Sequence, residues 1–276
     1  MFLCFNYRSF EKKILNEKGL FYICICKRLF LMEVKEMKLI RVGTVHQIAF
    51  LPRLFPINCY FVEEETGLTL IDAALPFCAK KILEAARKIG KPITNIVITH
   101  AHDDHIGALD AIKQELPNVP VYISKRDASL LEGDLSLQIG EPDTQVKVSV
   151  SKRIKMIPDI LLQEGDQIGS LVAIAAPGHT PGSMAFLDTR NDALIVGDAF
   201  QTRGGIAVAG QLNWLFPFPM FGTWDAEVSL TSAQKLLEYK PSILATGHGK
   251  MIENPLWQMQ RAIEEAKRNL TRKSLK

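Results

Sequence analysis

The chain is predicted to fold as one α/β domain, and three observations lead there. Short β-branched runs alternate with amphipathic stretches of helical period. Ionisable residues stand directly after several of those runs, where open α/β sheets place their sites. A faint internal repeat relates two halves. A strand, an aspartate, a helix and a strand ending in histidine occur once as Asp72, Lys81-Ile82-Leu83-Glu84 and Ile96 to His100. They recur as Asp198, Lys235-Leu236-Leu237-Glu238 and Ile243 to His248. A length of 276 residues with 47% apolar content suits a single domain with a substantial core.

Residues 1–36 stand apart. They hold three of the five cysteines (Cys4, Cys24 and Cys26) and the whole net charge of +3, so residues 37–276 are neutral. Their most apolar piece, 20–32, is interrupted by Lys27 and Arg28 and is too short to span a bilayer. No small-residue cleavage site follows it. Met37 opens a clean strand, and codons for Met32-Glu33-Val34-Lys35 can contain a ribosome-binding sequence. The expected organisation is an N-terminal extension over 1–36, outside the fold and arising from a mis-assigned start, followed by a domain over 37–276. A membrane-surface anchor is the competing reading of the extension. Cys59 and Cys78 sit singly in apolar contexts, which is not a disulfide framework, so a reducing, cytoplasmic location is expected. The neutral body argues against a nucleic-acid partner.

Strands are expected at Lys38–Gly43 and Ile57–Glu64, with a Pro-bounded loop at 51–56 between them, and at Leu68–Ile71, which ends at Asp72. Ile82, Leu83, Ala86 and Ile89 share one face of a helix over 77–89 that Gly90 stops. The run 95–98 reads as a buried strand. Ala108, Leu109, Ile112 and Leu116 mark a helix that begins past Gly107. A short strand at 121–123, a helical turn over 127–132 and an exposed loop over 133–152 follow. Strands return at 160–162, 167–169, 171–176, 184–187 and 193–196. Residues 199–224 show no period but are crowded with aromatics: Phe200, Trp214, Phe216, Phe218, Phe221 and Trp224. Asp225 caps a helix to about Glu238, a strand over 242–246 runs into Gly247-His248-Gly249, and a closing helix starts near Pro255.

The stretch that carries chemistry is 95–107. Within six residues it offers His100, His102, Asp103, Asp104 and His105, half of the six histidines in the chain. Imidazoles and carboxylates this close repel or dehydrate one another unless a cation bridges them, and a divalent metal prefers such ligands. His100 and His102 alternate on extended backbone and can face one way. Asp104 and His105 follow a turn and can face another, so one stretch can feed two neighbouring metals. His179, Asp198 and His248 each stand alone after an apolar strand: the first in a Pro/Gly turn, the last between two glycines.

The run THAHDDH, residues 99–105, resembles the HxHxDH signature of the metallo-β-lactamase superfamily of hydrolases, and the resemblance extends over essentially 38–250. It implies a four-layer αββα sandwich holding two divalent metal ions. His100, His102 and His179 would take the first ion, Asp104, His105 and His248 the second, and Asp198 would bridge them. Asp72 matches the family's aspartate that supports a metal ligand by hydrogen bond. Zinc is the expected metal, with iron and manganese also suited to a His/Asp set. The implied reaction is hydrolysis of a small-molecule ester, thioester or lactone by a metal-bridging hydroxide, with Asp104 ligating and orienting it. Asp198 stands where zinc β-lactamases commonly carry a cysteine, which lowers that reading. The alternatives are a phosphodiesterase on the same site and a non-catalytic metal-binding protein on this fold. The aromatic stretch 199–224 is read as an apolar lid or pocket wall, the other readings being ordinary core or a homodimer contact. His46 is read as structural, Asp103 as solvated, and Asn58 and Tyr60 as core or pocket rim.

Overall fold

The computed structural model describes residues 36–146 and 154–274. The expected extension therefore lies, apart from Glu36, outside the described residues, as do positions 147–153 of the loop expected over 133–152.

Fifteen strands are described. The first sheet is built from β1 (Met37–Val42), β2 (Val45–Phe50), β3 (Ile57–Glu63), β4 (Leu68–Ile71), β5 (Ile93–Val97), β6 (Val121–Ser124) and β7 (Ile160–Leu162), in sequence order. The strands β1 to β4 form an antiparallel meander, whereas β4 to β7 run parallel. The second sheet has the order β15 (Ile252–Glu253), β14 (Ile243–Ala245), β11 (Ala193–Ile195), β10 (Met184–Asp188), β9 (Leu171–Ala175), β8 (Gln167–Ile168). A small ribbon pairs β12 (Phe200–Gln201) with β13 (Ala207–Val208). The helices are α1 (Ala79–Ile89), α2 (Asp103–Ile106), α3 (Leu109–Glu115), α4 (Lys125–Leu131), α5 (Phe218–Gly222), α6 (Ala226–Glu238) and α7 (Leu256–Ser274).

Alternation along the strands sorts side chains into layers. On β3, Ile57, Cys59 and Phe61 face a core shared with α1 and α3, while Tyr60 and Val62 face the opposite sheet. Between the sheets, Tyr60, Val62, Ile71 and Val97 meet Met184, Phe186, Ile195 and Ala245. Beyond the second sheet, Ala185, Leu194 and Leu244 pack against Ala233 and Leu236 of α6 and Met259, Ile263 and Ala266 of α7. Three cores separate four layers, helix–sheet–sheet–helix, as the resemblance implies.

The two halves of the repeat are the two parallel crossovers. β4–α1–β5 lies in the first sheet and β11–α6–β14 in the second, each pair of strands parallel. Gly90 takes a left-handed conformation (φ 84°) and closes α1, while the Asp225 carboxylate accepts from Glu227 and Val228 N–H at the start of α6.

Three expectations are corrected. Strand β2, VHQIAF, is absent from the sequence reading because all six positions are buried and no alternation marks it. The helix expected after Gly107 is preceded by α2, which opens inside the ionisable cluster at Asp103. The stretch 199–224 is not one lid. Phe200, Phe216 and Trp224 are buried, Trp214, Phe218 and Phe221 are exposed, and β12, β13 and α5 lie within it.

Candidate metal centre

Both crossovers deliver their last strand to the same edge of the sandwich. Beyond β5 the chain carries Thr99, His100 and His102, and α2 then presents Asp104 and His105. The β9–β10 turn brings His179, the end of β11 brings Asp198, and the end of β14 brings His248. Three groups of ligand atoms converge, each within 4.8 Å: His100, His102 and His179; His100, His105 and Asp198; Asp104, His105 and His248. Asp198 touches both ends. Its Oδ2 lies 3.4 Å from His179 Nε2 and 3.1 Å from His248 Nε2, and its Oδ1 lies 3.4 Å from His105 Nε2. All are buried except Asp104, whose side chain is 26% exposed and 3.4 Å from His248. The seven residues expected as ligands thus lie at one place.

The outer partners dictate which ring nitrogen carries the proton. A backbone carbonyl only accepts, so His248 Nδ1–H donates to Pro56 O at 2.7 Å. Thr223 Oγ1 donates to Pro219 O and therefore accepts from His179 Nδ1, 3.1 Å away. The Asp72 carboxylate accepts from Thr99 N–H, Thr99 Oγ1–H and His105 Nδ1, all at 2.8 Å. With the Thr99 hydroxyl proton committed to Asp72, its oxygen accepts from His100 Nδ1 at 3.0 Å. When neutral, four rings consequently turn a bare Nε2 toward one volume.

This arrangement fits metal ions. His100 Nε2, His105 Nε2 and Asp198 Oδ1 are buried with no hydrogen-bond partner among the described residues. A buried polar atom left so costs about 1–3 kcal/mol. Imidazole and carboxylate lone pairs facing one another are satisfied by a divalent cation, and the donor set suits zinc, iron or manganese.

Charge among the protein groups alone is polarised. Burial and the neighbouring histidines push His100 well below the ordinary imidazole range, and burial does the same to His179. At His105 burial opposes the charge, but the carboxylates of Asp72, Asp198 and Asp104 raise it well above that range. Burial likewise opposes charge on His248, and Asp198 raises it. Asp198 is itself held well below the carboxylate range: burial works against it, and His248 and His105 outweigh burial.

The supporting shell was not all legible. Gln47, Asn58 and Tyr60 of the first sheet reach across to the loop that bears His248. Asn58 Nδ2 donates to Thr246 O and Gly249 O at 2.8 Å, Gln47 Nε2 to Gly249 O at 2.7 Å, and Tyr60 OH to Thr246 O at 2.6 Å. Asn58 and Tyr60 are therefore core clamps. His46 pairs with Glu63 at 3.1 Å, away from the centre. Phe55, Phe216 and Phe218 pack with steeply inclined rings, centroids 4.8–5.3 Å apart, and the first two lie 5.5 and 5.2 Å from the His248 ring. Gly222, at the end of α5, is positioned so that a Cβ would come within 3.5 Å of both His102 and His179. No local sequence pattern marks Thr223 or Asp127 as a support of this centre. A threonine directly before His100 was the one available signal.

The fold and the His/Asp centre are those of a metallo-hydrolase, and comparison assigns the family: the metallo-β-lactamase superfamily profile matches residues 52–248, and the chain belongs to that superfamily. It is 54% identical over 232 residues to "Uncharacterized protein YobT" of Bacillus subtilis (strain 168), covering 84% of this chain and all of that one. It is 30% identical over 216 residues to "Probable metallo-hydrolase YflN" of the same organism, covering 70% of this chain and 80% of the relative. The solved structure of TTHA1623 in a di-iron-bound form superposes with a TM-score of 0.52 at 26% identity, over 79% of this chain and 96% of that chain. The chain is a metallo-hydrolase of this superfamily with a His/Asp metal site. No helix among the described residues is long and apolar enough to cross a membrane.

Proposed function

We propose that the protein is a binuclear hydrolase of small-molecule esters, thioesters or lactones. His100, His102 and His179 would hold one ion, Asp104, His105 and His248 the other, with Asp198 between them. The observation that carries the reading is the set of inward Nε2 atoms fixed by Pro56, Thr223, Thr99 and Asp72 around the Asp198 carboxylate. Two divalent ions held there would supply a water of lowered pKa and an electrophile for the substrate oxygen.

The chain's own residues do the rest. Asp104, the one partly exposed carboxylate among the seven proposed ligands, would accept a proton from the attacking water and hold its orientation. The wall of Phe55, Phe216 and Phe218 beside His248 favours an apolar acyl or ring substituent, and Gly222 leaves room over His102 and His179. The residues past Met37 carry no net charge, which supports a small-molecule partner over nucleic acid. Zinc is the metal proposed. Iron is the second reading, favoured by the di-iron-bound form of TTHA1623. The exposed aromatics of 199–224 support a homodimer contact as the other use of that surface.

The test is metal analysis of purified protein together with rates on lactones, thioesters, aryl esters and phosphodiesters, before and after chelation. Two metals per chain and chelator-sensitive carbonyl hydrolysis are expected. Preference for phosphodiesters would overturn the substrate class, and metal content without turnover would overturn the enzyme reading.

A further inference from the structure

One buried carboxylate near the centre has no place in the ligand set. Asp127, in the first turn of α4, is fully buried. Its Oδ2 accepts from Ala101 N–H and Thr180 Oγ1–H, and its Oδ1 accepts from Gly182 N–H, all at 2.8 Å. Its own N–H donates to Ser124 Oγ at 3.1 Å. Ala101 lies between His100 and His102, and Thr180 follows His179. One carboxylate thus grips two loops, one leaving the first sheet and one joining strands of the second. Thr180 is held again by Ser183, whose Oγ is 2.9 Å from Thr180 N and 2.7 Å from its hydroxyl. Gly182 has no room for a side chain, since a Cβ would overlap Asp127 Oδ1 and lie 2.5 Å from Ser124 Oγ.

A buried carboxylate is expensive to keep for packing alone. Its use here is spacing. Metal–ligand distances tolerate only about ±0.2 Å. Asp127 is the side chain that bonds both the His100–His102 loop and the His179 turn, beside a backbone bond from Met184 N–H to Thr99 O at 2.8 Å and the contact of His102 Nδ1 with His179 Nε2 at 2.9 Å. The other ligands are fixed by different means: His105 by Asp72, and His248 by Pro56 O and the Gln47–Asn58–Tyr60 clamp. We propose that Asp127 is a positioning residue for the His100–His102–His179 group alone, setting its affinity for a metal ion without acting on the Asp104–His105–His248 group. This rests on the two-ion reading above.

Asp127→Asn isolates the effect. The amide keeps the shape but can offer its oxygen to only one side, so its NH2 faces at least one backbone N–H. Zinc binding to the metal-stripped full chain is measured by chelator competition, and cobalt(II) absorption spectra report the coordination of each group. His102→Ala and His248→Ala mark the two groups. For Asp127→Asn, one equivalent is expected to weaken by about 10–100-fold, as outer-partner losses do. The other should stay unchanged, and the cobalt spectrum should shift toward that of His102→Ala. Thr180→Val, which deletes one of the three hydrogen bonds, is expected to weaken the same equivalent by less, and it serves if the asparagine variant does not fold. Equal weakening of both equivalents, or of neither, in the variants that fold would overturn the assignment. Fewer than two ions on the unmutated protein would instead overturn the two-ion reading, so the two failures are distinguishable.

Discussion

Asp72→Asn tests the tautomer argument directly. Asp72 sits at φ 62°, a left-handed conformation that asparagine tolerates about as well as aspartate, so the backbone is not at issue. Suppose the new amide keeps its oxygen on Thr99 N–H. Its NH2 then replaces Oδ2 and donates to both the Thr99 hydroxyl and His105 Nδ1. His105 must move its proton to Nε2, which points at Asp198. Thr99, now accepting from the amide, turns its own proton toward His100 Nδ1, and that ring must also carry its proton on Nε2. One ring in each proposed ligand group is spoiled. Losing an outer partner weakens metal binding by about 10–100-fold, or roughly 1.4–2.8 kcal/mol per ion. The opposite amide orientation leaves the buried Thr99 N–H facing an NH2, at a cost of about 1–3 kcal/mol in stability. Either both metal affinities fall or the metal-free protein melts earlier. Asp72→Ala imposes no tautomer, so its loss of metal affinity should not exceed that of the asparagine variant. Chelator competition on both variants, with melting curves of the stripped proteins, decides it. An asparagine variant that matches the parent in both affinities and in metal-free Tm would refute the reasoning.

Three further outcomes are expected. Gly247→Ala adds a Cβ that overlaps Asp198 Oδ1 and comes within 2.6 Å of His105 Cε1, and it should cut metal content by roughly 10-fold or more without backbone strain. Normal metal stoichiometry in that variant would show that the loop yields. In the stripped protein the raised pKa values of His105 and His248 stabilise the fold below the ordinary imidazole range, and that stability is lost as pH rises through the raised values. Metal uptake near neutral pH should therefore release protons, and affinity should fall as pH falls; titration in weakly buffered solution that finds no release would contradict this. At Glu63, hydrogen bonds from His46 and Lys91 hold the carboxyl down to about 2, so its contribution is present above about pH 4.5 and lost as pH falls toward 2. Glu63→Gln should flatten the dependence of metal-free Tm on pH in that window, and an unchanged slope would remove Glu63 from the account.

What could be read from the sequence follows a physical line. His100, His179, Asp198 and His248 were visible because each interrupts or follows an apolar run, where an ionisable group needs a reason. The repeat was visible because Asp72 and Asp198 recur before helices of similar pattern, and both units form parallel crossovers. The supports were not visible. Asp127 reaches Gly182 across 55 residues and His248 reaches Pro56 across 192, and no local pattern records either contact. Strand β2 was hidden for a related reason. His46 and Gln47 break its apolar run, yet both are buried because Glu63 and the Gly249 carbonyl receive them.

Four of the seven ligand residues come from the first half of the polypeptide and three from the second, and His248 is the last of the seven to be synthesised. Until residue 248 has been made and its loop has docked under Asn58 and Tyr60, no complete centre exists for any ion to enter. Occupation of the complete centre then follows synthesis of His248 and docking of its loop, so an ion meets a pocket that is already shaped. Because the donors suit several first-row metals, the supply of ions where folding ends is expected to influence the occupant alongside the geometry of the site. Protein from cultures supplied with different metals should share one fold and differ in cargo.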